Sequence, residues 1–75
     1  MARFFSFVDG VKYYLQEIDY KNQKLKFTKD ENKAYIREGG FYSKSELNFI
    51  KRHFSNKYPK KVPDLQIEPS NSWED

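Results

Sequence analysis

The chain has no cysteine among its 75 residues, which excludes disulfides, thiolate metal sites and thiol nucleophiles. Its single histidine, His53, has no second imidazole with which to form a ligand pair. Glycine and proline number three each, and Gly39-Gly40 lacks a lysine at the spacing of a phosphate-binding loop. Asp30-Glu31 and Glu74-Asp75 are neighbours along the chain, not carboxylates positioned as an acid and a base. Together these shortages predict a protein that is not an enzyme and holds neither metal nor cofactor. No apolar run approaches the roughly 20 residues of a membrane span, and no charged-then-apolar leader precedes a cleavage site. The expectation is a cytoplasmic protein with no membrane partner.

What the chain does have is rings and positive charge. Seven Phe and six Tyr must supply much of the core of a single domain close to the lower size limit for self-supporting folds. The formal charge of +3 conceals a division. Residues 1–67 carry all 14 Lys and Arg against 8 acids, whereas 68–75 contain only acids: Glu68, Glu74 and Asp75. The reading is one α+β domain over 1–67 and an acidic, flexible tail over 68–75 with Trp73 as its only anchor.

Asp9-Gly10 separates two aromatic and β-branched runs, the strongest short-range hairpin signal. It sets Val8 opposite Val11, Ser6 opposite Tyr13 and Phe5 opposite Tyr14. A looser turn around residues 20–23 leads to Lys24-Leu25-Lys26-Phe27-Thr28, a third antiparallel strand with Asp19 opposite Lys24 and Ile18 opposite Leu25. Strict alternation then puts Phe5, Phe7, Tyr14, Ile18, Leu25 and Phe27 on one face, which we assign to the helix. Phe4, Val8, Val11, Tyr13 and Leu15 fall on the other. Residues 30–37 suit either a short helical turn begun at Thr28 or Asp30, or a short strand over 34–37. Leu65-Gln66-Ile67, bounded by prolines, suits an edge strand.

Ser43 and Glu46 have the spacing of a capping box, with Tyr42 and Leu47 placed as a hydrophobic staple. They predict a helix over about 44–57, ended by Asn56 and Pro59. Leu47, Ile50, Phe54 and Tyr58 form its apolar stripe. The fold class is therefore α+β: a three- to four-stranded antiparallel sheet with one main helix packed on one face.

One helix cannot cover two apolar sheet faces. Phe4, Tyr13 and Leu15 therefore become a candidate contact surface, for a partner or a second copy in a homodimer. Phe49 joins them, because it lies about 160° around the helix from Leu47. Lys51, Arg52, Lys57, Lys60 and Lys61 form a basic run with no acid between Glu46 and Asp64. That run suits a solvated helix end or contact with nucleic acid phosphates. Salt separates the two kinds of partner, since counterion release weakens nucleic acid binding steeply and an apolar interface little.

Phe27-Thr28-Lys29-Asp30, Lys33-Ala34 and Phe41-Tyr42-Ser43-Lys44-Ser45-Glu46-Leu47 with Phe49-Ile50 resemble a layout of small phage and prophage accessory proteins. In these a β-meander leads into a helix that packs on the sheet. The likeness spans residues 3–67 and implies stoichiometric binding of a host protein, as an inhibitor of a host enzyme or defence system, in the host cytoplasm. Gly40-Phe41-Tyr42-Ser43-Lys44-Ser45-Glu46-Leu47 is also similar to the entry of AP2-like integrase domains. Those read DNA through the sheet face opposite the helix, where the strict-alternation assignment here puts aromatic and aliphatic residues in place of Arg and Lys.

Overall fold

A computed structural model describes residues 1–70. Strands β1 (Ala2–Val8), β2 (Val11–Asp19) and β3 (Lys24–Thr28) form an antiparallel meander. A single 3₁₀ turn (Glu31–Lys33), a two-residue strand β4 (Ile36–Arg37), helix α1 (Phe41–Phe54) and strand β5 (Gln66–Pro69) follow. The architecture is α+β, with β1 as the central strand. Ala2 and Arg3 are paired both to β4 and to β5, so both edges of β1 are occupied there. Both alternatives for residues 30–37 are present in sequence. Asp30 caps the 3₁₀ turn through Asn32 N–H at 2.9 Å, and β4 then begins.

The hairpin register matches the turn chemistry: Phe5 faces Tyr14, Ser6 faces Tyr13 and Val8 faces Val11. Asp9 and Gly10 both have positive φ, as the tight turn requires. The second turn holds Ile18 opposite Leu25 and Asp19 opposite Lys24, with Asp19 accepting hydrogen bonds from Asn22.

Between these two correct registers lies a β-bulge. Leu15 pairs with Phe27 and Glu17 with Lys26, so Gln16 is the extra residue. The bulge reverses the alternation of β2 and corrects the assignment of faces. Phe4, Leu15, Ile18, Leu25 and Phe27 share the face that packs against Ile50, Phe54, Val62 and Leu65. Phe4 and Leu15 are completely buried; they are core, not an exposed contact surface. Phe5, Phe7 and Tyr14 lie on the opposite face, away from the helix.

The helix start also differs. Gly40, at φ 70° and ψ −129°, occupies the cap position, and α1 begins three residues earlier than the capping box implies. Only glycine adopts that backbone readily. Ser43 is inside the helix, and its hydroxyl donates to Gly40 O at 3.1 Å rather than accepting from Glu46. Tyr42 is exposed and forms no buried staple. At the other end α1 stops at Phe54, and two turns tie Lys57 and Tyr58 N–H to Phe54 O. The ordered domain extends beyond residue 67, since Glu68 and Pro69 belong to β5 and Ser70 N–H donates to Met1 O at 2.9 Å. Trp73, Glu74 and Asp75 lie outside the described residues.

Among the described residues, no element lies over the second sheet face, which covers its rings with its own charged side chains. Arg3 and Lys12 flank Tyr14 at 5.3 and 5.1 Å from the ring centroid, and Lys12 also lies 4.4 Å from that of Phe5. Glu68 on β5 accepts from both cations at 2.6 Å, and the Arg3 guanidinium reaches Glu31 at 3.4 Å. Burial pushes the Glu68 carboxyl up, but the hydrogen bonds from Lys12 and Arg3 outweigh it and hold it below its ordinary value. Among the described residues, no helix is long and apolar enough to cross a membrane.

Two predictions follow from this arrangement of faces. Phe4→Ala should destabilise the fold by roughly 3–5 kcal/mol, as for other buried Phe truncations. Phe7→Ala, at a half-exposed ring, should stay within about 1 kcal/mol. Equal shifts in urea midpoint would refute the assignment. Glu68 binds protons less readily folded than unfolded, so its contribution is present above about pH 4.5 and is lost as pH falls through the depressed folded value. Glu68→Gln should therefore flatten the acid limb of a stability-versus-pH curve below that point, a change readable by thermal melts from pH 2 to 7.

Candidate functional site

The two most exposed rings among the described residues stand in the first turn of the helix, and two more exposed rings lie near them. Phe41 is 77% exposed, Tyr42 53% and Phe49 41%, and Tyr20 at the end of the β2 hairpin arm is 46% exposed. Gly40 is the local cause for the first two, because starting α1 there puts Phe41 and Tyr42 in its first turn, with their rings edge-to-face at 5.9 Å. Phe49 lies two turns further along on the outer side of the helix. Its ring meets Tyr20 edge-on at 5.5 Å and rests on His53 at 4.1 Å. Tyr20, Arg37, Tyr42, Ser45, Glu46 and Phe49 line an open hollow of about 390 Å³.

The floor of this hollow is polar and tightly held. The Glu46 carboxylate accepts from Tyr20 OH at 2.6 Å and from Tyr35 OH at 2.9 Å. Arg37 Nε is 3.4 Å from its Oε1, and the guanidinium lies 5.7 Å from the Tyr42 ring centroid. Burial raises both tyrosine hydroxyls above their ordinary pKa, and the neighbouring Glu46 charge raises them further. Both phenols therefore stay protonated and donate to the carboxylate across the physiological range. Four elements converge here: the end of β2, the segment before β4, β4 itself and α1. Rings at the rim can remain exposed without disorder because the floor beneath them is fixed by charge-assisted hydrogen bonds.

The residues expected to form the contact surface are dispersed. Phe4 and Leu15 are core, Tyr13 lies at the edge of the core-side face, and only Phe49 reaches the hollow. The basic run is divided as well. Lys51 and Arg52 leave the last turns of α1, while Lys57, Lys60 and Lys61 line a separate hollow with Tyr58 and Pro59. Lys57 donates to Gln23 O at 2.8 Å, and Lys61 lies over the Tyr13 and Phe27 rings. Sequence reasoning missed Tyr20, Arg37, Phe41 and Tyr42. The available signal was Phe41-Tyr42 directly after Gly39-Gly40, which the capping-box reading absorbed as a staple.

Comparison with protein-family models, with curated proteins and with solved structures finds no match to this chain. The site's chemistry must therefore speak for it. Among the described residues, no three His, Asp or Glu side chains gather as a metal site. The hollow offers aromatic walls, one guanidinium and a carboxylate already engaged by two phenol donors and an ion pair, which is equipment for holding a side chain.

Glu46→Ala should cost about 2 kcal/mol, because it leaves two phenols without their shared acceptor and Arg37 without its ion-pair partner. Glu46→Gln should cost less, since its amide oxygen still accepts. Urea denaturation of the two variants distinguishes this from a merely solvated glutamate, for which neither change would register.

Proposed function

We propose that this protein acts by stoichiometric binding of another protein, with the hollow rimmed by Tyr42, Phe49 and Tyr20, and the exposed Phe41 ring beside Tyr42, as its contact surface. The observation that carries this reading is the concentration of three exposed rings around one rigid floor, with a fourth, Phe41, against Tyr42. Aromatic side chains and arginine dominate the energetics of protein interfaces, especially where they are held in place before binding. The partner best suited to the surface is an acidic one that inserts an apolar side chain between Tyr42 and Phe49. Charge supports that choice: residues 1–67 carry 14 cations against 8 acids, and the ion pairs among the described residues engage only Arg3, Lys12 and Arg37. The resemblance to small phage and prophage accessory proteins supports a host protein as that partner, and inhibition of it as the outcome. The cationic surface would accelerate and orient the encounter more than it tightens the complex.

Nuclease-treated bacterial lysate passed over immobilised protein supplies the partner for a quantitative test with the purified pair. Phe41→Ser with Tyr42→Ser should weaken binding at least 30-fold, the equivalent of one interface hot spot of about 2 kcal/mol, with an unchanged thermal midpoint. Moderate salt should alter the wild-type affinity little. Undiminished binding by the double variant would refute the site. A wild-type dimer in light scattering that the same variant dissociates would assign the hollow to a second copy of the chain instead.

A further inference from the structure

We infer that a second surface, on the side of the molecule formed by Tyr13 and the loop after α1, binds single-stranded nucleic acid through its phosphates and a stacked base. Its centre is Tyr13, half-buried on β2 at the edge of the core-side face. Lys29, just after β3, and Lys61, from the loop between α1 and β5, place their ammonium groups 5.9 and 4.9 Å from its ring centroid. Lys61 also lies 5.3 Å from that of Phe27. Two ammonium groups from distant parts of the chain are thus held within about 11 Å of each other. Neither forms an ion pair among the described residues. The nearest acid in sequence to Lys29, Asp30, is engaged in capping the 3₁₀ turn. Rings hold these lysines in place without neutralising them, which leaves their charge for an external anion.

The loop carrying Lys61 is anchored. Val62 and Leu65 are fully buried, Val62 N–H donates to Tyr58 O, and Leu65 N–H donates to Val62 O. The Tyr58 hydroxyl accepts from Leu25 N–H at 2.9 Å. Lys57, Lys60 and Lys61 therefore leave a fixed frame. With Tyr58 and Pro59 they line a hollow of about 240 Å³, with cations around an aromatic ring and a proline. Separated lysines for phosphates beside an apolar recess for a flat ring are the two features of sequence-tolerant single-strand binding. An acidic protein surface would use the lysines and leave the recess unused.

Fluorescence anisotropy with a labelled oligothymidylate of about 12 nucleotides, within the site size of single-strand binders, tests the assignment on the full chain. Wild-type protein should bind at low salt, and an abasic strand of equal charge should bind at least tenfold more weakly. Lys29→Glu with Lys61→Glu should reduce affinity at least tenfold and lower the salt slope by about 1.4, the value for two lost phosphate contacts on a single strand. Lys21→Glu with Lys44→Glu, charge-matched and remote in sequence from the cluster, should reduce it less than threefold. Should reversal lower the thermal midpoint, Lys29→Gln with Lys61→Gln gives the same comparison at half the charge change. Absence of binding, equal losses in the two charge-matched variants, or equal affinity for the abasic strand would each overturn the assignment.

Discussion

One extra residue in β2 determines which side of the sheet becomes the interior. Both flanking turns fix their registers locally, and strict alternation between them would put Leu15 and Ile18 on opposite faces. The core would then be divided, with Phe4 and Leu15 on one side and Ile18 and Leu25 on the other. Gln16 bulges out of the ladder and brings all four to one face. The local loss is small, a single residue without a pairing partner. The gain is full burial of Phe4 and Leu15, each worth about 1.5–3 kcal/mol over an exposed position. A chain with one helix has cover for one face only, so the bulge is the economical solution.

Legibility in the sequence followed the range of the forces involved. Both hairpin registers could be read because turn geometry acts over a few residues and Asp9-Gly10 permits little else. The helix was readable as an element, but its first turn was not. Ser43 and Glu46 have the right spacing for a reciprocal cap, yet each has a stronger engagement elsewhere. Gly40 supplies a backbone conformation that starts the helix earlier, and Glu46 is claimed by Tyr20 and Tyr35, 26 and 11 residues away. The bulge depends on the whole core and has no local marker. The hollow draws on four separate stretches of chain, so no window of sequence could reveal it. Phe49 was an exception because a ring on the wrong side of an amphipathic helix is visible in the pattern itself.

The uncovered face shows how a small domain without a staple tolerates aromatic residues on both sides of its sheet. Tyr14 is buried there although no element among the described residues overlies it, because Arg3 and Lys12 lay their stems and charges against the ring. Glu68 binds both cations and so holds the cover in place. It also joins β5 to β1 and β2 through side chains, beyond the backbone ladder that β5 makes with β1 alone. Across from Glu17 and Asp19, Lys26 and Lys24 complete a surface of opposed charges. Phe7 is the ring this arrangement leaves half exposed.

These contrasts separate structural charge from available charge. Arg3, Lys12 and Arg37 have carboxylate partners, and each also lies against a ring. Replacing any of them removes a packing element as well as a charge. Lys29 and Lys61 have rings but no carboxylate among the described residues, so their positions are defined while their charge is uncompensated. A lysine free in solvent would lose side-chain entropy on meeting an anion, and one already resting on a ring loses less. The aromatic hollow follows the same logic with the roles reversed. There the charge of Glu46 is fully engaged beneath, and it is the apolar surface of Tyr42, Phe41 and Phe49 that remains uncovered. Each surface has one half of its interactions satisfied within the chain and presents the other half to solvent, which is the condition for binding without first rearranging.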